Sequence, residues 1–432
     1  MLIKRSFVIG AMNISLTKQI FGKLKIPSSD LIGIFGPRKF EGKGLSDEEI
    51  RKAIANPIGT EPLREMAKGC ENVVIVTDDN TRMTPVSRIV PMVLDELHLA
   101  GVPPRGITFL IGLGTHRPMT ADEIQTKFGF EVASRYRIVN HAWEDAGDLV
   151  SLGPCDLGFE VVINRLALEA DLLLAVGSIV PHATAGFSGG GKTIMPGICG
   201  EKTIEDTHWK ALDFSMREIL GRFNNPIRES IVSVSRRVGL RAIVNAILFE
   251  GNKIYSLVAG DVEAAHWQGV ETCREVYGAD IPGQADVVIA EAYPTDIDLR
   301  QAIKALCSAD IICRDGGVII LPAECPEGIA PQFPEFEHHG FRNPDFLFRE
   351  VEENKFSQKL MAYTLVAIGR IISQRVRAIL VSMNIDQTQA KRMGFQWAPD
   401  LQSAMGQALS MVHGHAKVAI LKSAGEILPI LQ

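Results

Sequence analysis

The chain has 432 residues, of which 46% are hydrophobic and 22% are charged, and its formal net charge is −6. This composition is typical of a globular chain of two or three domains, and scattered Lys and Arg side chains with a negative net charge exclude a basic surface for nucleic acid. No apolar run reaches the length of a membrane span, so we expect neither nucleic acid nor a membrane as a partner.

The seven cysteines are an odd number, and no two of them have the C-x-x-C spacing of a zinc ribbon. Thiols stay reduced in the cytoplasm, whereas secreted domains pair their cysteines. The N-terminal segment also lacks the apolar core of a signal peptide. The sequence therefore predicts a cytoplasmic protein without disulfides.

Strand patterns alternate with helical periodicity in the first part of the chain. Two capping boxes, Ser46 with Glu49 and Thr120 with Glu123, predict helix starts. A further helix is predicted over Val86–Ala100. Strands are predicted over Asn72–Thr77, Ile107–Ile111, Glu160–Asn164, Leu172–Val176 and Ile243–Phe249. This alternation indicates an α/β fold with a mostly parallel sheet covered by helices.

The alternation restarts after a predicted connecting helix over Gly260–Tyr277. The later elements are strands at Asp286–Ala290, Gly317–Leu321, Arg377–Val381 and Lys417–Leu421, with helices at Leu299–Ala309 and Leu401–His413. We expect two α/β lobes, a cofactor-binding lobe over residues 1–270 and a C-terminal lobe over residues 271–432. The linker helix lies at about 260–283, and the C-terminal tail is free to return to the first lobe. The active site is expected in the cleft between the lobes.

Sets of polar residues follow four of the predicted strands. Open parallel sheets bind ligands beyond the carboxyl ends of their strands, so these sets can share one crevice. They are Asp78–Arg82, Gly112–Pro118, the segment from Pro181 to Gly197, and Glu291–Asp296 followed by Gln301 and Lys304.

The segment Gly186–Thr193 matches G-x-x-x-x-G-K-[ST], the phosphate loop of ATP-binding proteins. That loop works directly between a strand and the N-terminus of a helix. Here the predicted strand ends about ten residues earlier, and Pro196-Gly197 interrupts the helix that should follow. An ATP-binding protein is therefore an alternative whose structural context is unfavourable. Bare glycine backbone also suits the approach of a different phosphate or a flat cofactor.

Together these motifs resemble those of the nickel-dependent lactate racemase family. The matching segments are Asp78–Arg82, Gly114–Thr120, Pro181–Gly197, His208-Trp209, and Tyr293-Pro294 with Gln301 and Lys304. The resemblance implies an isomerase, a racemase or epimerase that inverts the α-carbon of a 2-hydroxy acid by reversible hydride transfer through a 2-keto acid. The implied cofactor is a nickel-pincer nucleotide, a pyridinium 3-thioamide-5-thiocarboxylate mononucleotide whose sulfur-containing arms hold nickel. The implied partners are the substrate and the proteins that build this cofactor.

The resemblance also assigns roles to the residues around the cofactor. Lys192 matches the lysine that is tethered to the cofactor through a thioamide, and His208 matches the histidine that completes the nickel coordination. His116 and His182 match the two histidines that flank the substrate. The preceding loop is expected to lay its N–H groups on the nucleotide phosphate, through Ser188, Gly189, Gly190 and Gly191.

Four further residues match the substrate-binding positions of the family. Arg82, Gln301 and Lys304 correspond to residues that hold the substrate's carboxylate and hydroxyl, and Asp79 is expected close to Arg82. A cation fixes the carboxylate, bidentately where it is an arginine.

The chemistry agrees with these assignments. The α C–H of a 2-hydroxy acid is weakly acidic, and no side chain accepts a hydride, so oxidation to the keto acid requires a cofactor. A planar keto acid can take the hydride back on either face. A histidine on each side can then be the base for one enantiomer and the acid for the other. Sulfur donors with one imidazole favour nickel over magnesium or calcium.

Arg300 departs from the family pattern, because the member that acts on lactate has tyrosine before the glutamine. A cation there favours a larger or dicarboxylic 2-hydroxy acid if it faces a second carboxylate or a polyhydroxylated tail. It could equally contact the cofactor phosphate or solvent. Two alternatives to the 2-hydroxy acid racemase stay open. One is a 2-epimerase of a sugar acid with the same cofactor, and the other, from another class, is an ATP-binding protein that uses Gly186–Thr193.

Overall fold

A computed structural model describes residues 11–38, 40, 42–250, 252–412 and 415–432. The chain divides into two compact units, one of residues Lys39–Val276 and one that combines Met1–Arg38 with Tyr277–Gln432. The boundary at 276 lies close to the expected 270, but the N-terminal segment belongs to the second unit. The reason is visible in its contacts, since Thr17 donates its backbone N–H to the buried carboxylate of Glu291 at 2.6 Å.

Three strands form the N-terminal segment, and none of them was predicted. They are β1 (Ala11–Ile14), β2 (Leu24–Pro27) and β3 (Leu31–Phe35). The first two pair with each other antiparallel, and the third joins the sheet of the second unit.

The central unit, Lys39–Val276, carries most of the predicted alternation. Its elements are α1 (Asp47–Ala55), α2 (Leu63–Met66), β4 (Val73–Asp78), α3 (Val86–Leu99), β5 (Ile107–Gly112), α4 (Ala121–Phe128), α5 (Phe130–Arg135), β6 (Arg137–Asn140), β7 (Leu149–Pro154), β8 (Glu160–Asn164), α6 (Arg165–Leu168), β9 (Leu172–Ser178), β10 (Pro181–His182), β11 (Gly186–Phe187), α7 (Glu201–Lys210), α8 (Met216–Ile219), α9 (Pro226–Val238), β12 (Leu240–Phe249), β13 (Lys253–Gly260) and α10 (Ala264–Tyr277). Both predicted capping boxes are present at the starts of α1 and α4.

A six-stranded sheet in the order β13-β12-β9-β4-β5-β6 forms the centre of this unit. Every neighbouring pair is parallel except β12 with β13, which confirms the mostly parallel α/β fold. From β4 the chain builds the sheet outward through β5 and β6, and then returns to add β9 and β12 on the other side. The strand order therefore reverses between β4 and β9, and such a reversal opens a crevice at the carboxyl edge.

Two predicted elements have a different place from the one expected. The strand over Glu160–Asn164 exists, but it pairs antiparallel with β7 outside the main sheet. The connecting helix begins at Ala264 because residues Lys253–Gly260 form β13, an antiparallel edge strand.

The second unit is a separate α/β layer structure. Its remaining elements are β14 (Gly278–Ile281), β15 (Ala285–Ala290), α11 (Leu299–Ala302), α12 (Lys304–Ile312), β16 (Cys313–Pro322), α13 (Pro334–His339), α14 (Pro344–Glu352), α15 (Lys359–Gly369), β17 (Arg377–Val381), α16 (Gln387–Met393), β18 (Gln396–Trp397), α17 (Leu401–Met411), β19 (Val418–Leu421) and β20 (Leu428–Leu431). The sheet has the order β18-β17-β16-β15-β19-β3 and is parallel throughout. The expected end of the last helix at His413 lies outside the described residues.

The C-terminal tail belongs to this unit, where β20 pairs in parallel with β14. Each unit has its own buried apolar core, one around β4 and α3 and one around β15, β16 and α17. Among the helices that the structure describes, none is long and apolar enough to cross a bilayer.

Candidate active site

Three loops at the carboxyl edge of the central sheet carry the predicted catalytic residues of this unit. They follow β4, β5 and β9, and the first and last of these strands are neighbours at the strand-order reversal. The loop after β5 is tied to the glycine-rich segment, because Gly114 donates its N–H to the carbonyl of Gly197 at 3.0 Å. The polar sets that the sequence places at separate strand ends therefore meet.

Asp79 and His116 form a direct hydrogen bond, with 2.6 Å between Oδ2 and Nδ1. Asp79 is buried, and it also accepts hydrogen bonds from the hydroxyl of Thr81 at 2.6 Å and from its N–H at 3.1 Å. Burial alone would raise the pKa of Asp79, but the bonds from His116 and Thr81 outweigh it and lower the pKa. An ionised Asp79 can only accept, so Nδ1 of His116 carries the proton and Nε2 presents a lone pair.

Asp79 also lies close to Arg82, as expected, but the two are joined through the backbone and not through their side chains. The Arg82 backbone N–H does donate to the carbonyl of Asp79 at 3.2 Å, but the guanidinium donates to the Thr81 hydroxyl at 3.3 Å. The Asp79 carboxylate is instead the partner of His116.

His182 has the opposite arrangement of its ring nitrogens. The backbone N–H of Thr184 donates to Nδ1 at 3.1 Å, so the proton of the neutral ring is on Nε2. Burial, followed by the positive charges of Lys192 and Arg82, lowers the pKa of His182 well below its usual range. His182 is therefore neutral at pH 7 and offers an N–H at Nε2, whereas a neutral His116 ring, with its proton on Nδ1 toward Asp79, would carry its lone pair at Nε2.

Lys127 braces the turn that carries these residues and was not predicted from the sequence. Its ammonium donates to the backbone carbonyls of Asp79 and Arg82 at 2.7 and 2.8 Å, and it lies 2.9 Å from Oδ1 of Asp78. Nothing in the local sequence of α4 indicates this role, because the contacts join segments more than 40 residues apart.

The glycine-rich segment is packed against the rest of the protein, and two of the N–H groups that were expected to bind a phosphate have protein partners. The N–H of Ser188 donates to the Val180 carbonyl at 2.8 Å, and the N–H of Gly190 donates to Oδ1 of Asn245 at 2.7 Å. A Cβ on Gly190 would lie 2.9 Å from the ring of His266. These N–H groups are therefore already used, and the glycines permit close packing of the loop.

The ATP-binding alternative also loses its structural basis. Gly190–Thr193 forms a single 3-10 turn, and the next α-helix, α7, begins only at Glu201. A phosphate loop requires an α-helix N-terminus directly after the glycines.

Lys192 lies in that 3-10 turn and is half-buried. Burial lowers its pKa to about 7, the charges of Arg82 and Arg228 add to this effect, and Asp79 opposes it. The neutral amine, which is the nucleophilic form, is therefore well populated at neutral pH.

His208 lies in α7 and presents its Nε2 atom. Its Nδ1 lies 2.8 Å from the carbonyl of Ile204, so this nitrogen donates a proton and Nε2 keeps a lone pair, as in histidines that bind metals. Burial lowers the pKa of His208 to about 4, the bond to Ile204 opposes this, and the charges of Lys192 and His116 add to it. In the part of the chain that is described, no cluster of three or more His, Cys, Asp or Glu side chains forms a metal site.

The charges of these groups act on each other. Lys192 affects both His182 and His208, Arg82 affects Lys192, and His116 affects His208. The central unit thus brings together six of the residues that the sequence singled out: Asp79, Arg82, His116, His182, Lys192 and His208.

The remaining substrate-binding candidates lie in the second unit. Gln301 is in α11, where its backbone N–H donates to Oδ1 of the N-cap residue Asp298 at 2.7 Å. Gln301 also lines a pocket of about 370 Å³. Arg300 lines the same pocket and stacks on the ring of Phe333, 4.4 Å from the centroid. Lys304 begins α12 and is exposed. The expectation that both sets share an inter-lobe cleft stays a prediction.

Two protein families match the chain, the lactate racemase N-terminal domain over residues 18–218 and the lactate racemase C-terminal domain over residues 281–427. The lactate racemase of Thermoanaerobacterium thermosaccharolyticum is 30% identical over 433 residues, which cover 94% of this chain and 97% of that protein. The lactate racemase of Lactiplantibacillus plantarum is 32% identical over 390 residues, which cover 88% of this chain and 90% of that protein.

Solved structures give the same relationship. The lactate racemase apoprotein from T. thermosaccharolyticum superposes with a TM-score of 0.84 at 29% identity, over 98% of this chain and all of that one. A protein from Thermotoga maritima, with a TM-score of 0.66 at 20% identity, covers 91% of this chain and shares the fold.

An α/β enzyme with this site is an isomerase of the racemase class. The match extends over both lobes and nearly the whole chain. The chain belongs to the lactate racemase family.

Proposed function

We propose that this racemase inverts the α-carbon of a 2-hydroxy acid, with His116 and His182 exchanging the hydroxyl proton. The observation that carries the proposal is that each ring is held at Nδ1, by the Asp79 carboxylate for His116 and by the Thr184 N–H for His182, so that Nε2 is the nitrogen left for the substrate. The names of the two relatives, both lactate racemases, support the substrate class, since lactate is a 2-hydroxy acid.

The two histidines divide the proton transfers between them. His116 takes the hydroxyl proton of one enantiomer, and Asp79 stabilises the imidazolium that results. To act as the acid, His182 must first take up a proton at Nδ1 and release the Thr184 N–H, because a neutral ring that gave up its Nε2 proton would become an imidazolate. When the opposite enantiomer reacts, the neutral ring left after that transfer is the base at Nε2, and the imidazolium of His116 is the acid. Arg82, which is not paired with Asp79, is available to bind the substrate carboxylate.

Inversion by oxidation requires a hydride acceptor, and a bound nickel-pincer nucleotide would supply that chemistry. The residues present fit such a group. The amine of Lys192 has the reactivity that a covalent tether needs, and His208 presents one imidazole lone pair. The described residues around His208 provide no set of three protein ligands, so the protein suits a metal held mostly by its cofactor. Ser188, Gly189, Gly190 and Gly191 directly precede Lys192, and the loop that they form is held to the protein by hydrogen bonds of Ser188 and Gly190.

Mass spectrometry of the intact chain tests this proposal. Co-production with the cofactor-building proteins should add a cofactor mass to the native chain, and the adduct should be absent from Lys192→Ala. Lys202→Ala, an exposed lysine in α7, is the matched control and should keep the adduct. An adduct that survives Lys192→Ala would refute the tether.

We infer from Arg300 that the substrate carries an anionic or hydroxylated tail and is not lactate itself. Its guanidinium has no ion pair among the residues that the structure describes, and it shares a pocket with Gln301. A panel of lactate, malate, aromatic hydroxy acids and sugar acids tests this inference and also decides for or against the sugar-acid 2-epimerase. Turnover of lactate well above all the others would overturn it.

We also propose a cytoplasmic location, which is supported by the seven free thiols. The partners in this proposal are the small-molecule acid and the cofactor-building proteins, with no nucleic acid and no membrane.

A further inference from the structure

Arg228 is a buried arginine directly behind the loop that carries Lys192. It lies in the first turn of α9 and is 2% exposed. Its guanidinium donates to the carbonyls of Gly189 and Ala185, each at 3.3 Å, and to the carbonyl of Phe187. One side chain thus fixes three carbonyls of the glycine-rich loop.

The charge of Arg228 has no carboxylate to balance it. The described residues contain no ion pair with this guanidinium, and its Nε has no hydrogen-bond partner. Burial lowers the pKa of Arg228 to about 9, so the group is still charged at neutral pH. Burying an unpaired cation is costly, and a fold that needed only a clamp could use neutral donors.

We propose that Arg228 is a positioning residue that fixes the loop presenting Lys192, and that its unbalanced charge keeps the Lys192 amine in its neutral, reactive form. The inference rests on the proposed tethering role of Lys192 and deepens it. Loss of a proton at Lys192 relieves repulsion between two cations, which is how a neighbouring cation activates a lysine nucleophile.

Other charged groups also act on Lys192. Arg82, from the loop after β4, adds to the effect of Arg228, and Asp79, from the same loop, opposes it. His182 and His208 are neutral at pH 7, because burial lowers the pKa of each. After burial, Arg82 and then Arg228 lower the pKa of Lys192, and of these two cations Arg228 is the one that is bonded to the loop carbonyls and is not part of the substrate-binding set.

Competitive labelling of the apoprotein with acetic anhydride measures this reactivity. The neutral amine attacks the anhydride carbonyl, acetate leaves, and the amine proton goes to solvent. Peptide mass spectrometry then gives the rate at Lys192 against pH, with the exposed Lys68 in the same digest as the reference. In the native chain, the acetylation of Lys192 should reach half of its maximum at a much lower pH than that of Lys68.

Two variants separate charge from hydrogen bonding. Arg228→Lys keeps the cation with three N–H donors in place of five, whereas Arg228→Gln keeps two neutral N–H donors and loses the cation. Arg228→Gln should move the midpoint about one pH unit higher, which lowers the acetylation rate at pH 7 about fivefold because the native amine is half neutral there. Arg228→Lys should stay close to the native chain. Ser235→Ala, which removes a neutral hydroxyl from the same loop contact, should leave the midpoint unchanged.

Equal effects of the Lys and Gln variants would overturn the role of the charge. If Arg228→Gln does not fold, the native profile still decides, since an ordinary profile at Lys192, like that of Lys68, refutes the proposal. The labelling uses no cofactor and no substrate. Its failure is therefore distinguishable from a failure of the proposed racemase chemistry, which the adduct on Lys192 tests separately.

Discussion

The carboxylate of Asp79 and the imidazole of His116 are joined by a 2.6 Å hydrogen bond, although they lie 37 positions apart and in different loops. The bond fixes the ring so that its solvent-exposed Nε2 is the basic nitrogen. Asp79 is buried, whereas the His116 side chain is 51% exposed. The carboxylate is therefore held inside the protein, and the imidazole is accessible to a substrate.

We expect Asp79→Asn to lower racemisation by about 10²-fold or more, because the amide neither stabilises the imidazolium nor fixes the ring in one tautomer. The measurement is the initial rate of inversion, followed by chiral chromatography, with the best substrate of the panel. Asp122→Asn, on the exposed face of α4, is the matched control. An unchanged rate in Asp79→Asn would show that His116 does not act as the base.

Replacing either His116 or His182 by alanine should reduce the rate by about 10²- to 10⁴-fold, the usual contribution of a positioned acid or base. His338→Ala removes an exposed histidine of the second unit and should have little effect. The His116→Ala and His182→Ala variants should still acquire the cofactor mass, because the amine of Lys192, and neither histidine, forms the tether. Near-normal turnover in both single variants would exclude the pair.

The sequence predicted the alternation of strands and helices because buried parallel strands leave long apolar runs, such as Leu172–Val176. It missed the N-terminal strands, of which β1 and β2 pair with each other and β3 pairs with β19, hundreds of residues away. These strands have only four or five residues, so each leaves too short a pattern to predict. The unit boundary was displaced at its N-terminal side because no local pattern shows that β3 joins a sheet of distant strands.

The roles of the site residues stay predictions, and the sequence did not give their contacts. The resemblance implied that Asp79 lies close to Arg82, and it gave no sign that folding joins the Asp79 carboxylate to His116. The glycines of Gly186–Thr193 indicate only that bare backbone is needed. They do not indicate whether a ligand or a neighbouring side chain approaches, and here Asn245, His266 and Arg228 do.

His182 predicts a specific dependence of stability on pH. The unfolded chain protonates this imidazole near pH 6.5, whereas the folded chain does so only at a much lower pH. The unfolded state therefore binds more protons below about pH 6.5, and the free energy of unfolding falls as the pH falls. In His182→Gln this loss should be smaller between pH 6.5 and 5. Urea titrations across this range measure it, and parallel curves for the two proteins would contradict the assignment.

Gly191 tests whether the glycine-rich loop is a packing element. An alanine Cβ at this position would clash with the hydroxyl of Ser235 and lie 3.0 Å from its Cβ, so Gly191→Ala should cost about 1–3 kcal/mol of unfolding free energy. Gly406→Ala, in the middle of α17, has no atom within 4 Å of the added carbon and should be neutral or stabilising. Denaturation of the apoprotein compares the two. A Gly191→Ala chain as stable as the native one would mean that the space behind the loop is open, and the bare backbone would then be better explained by a ligand that lies against it.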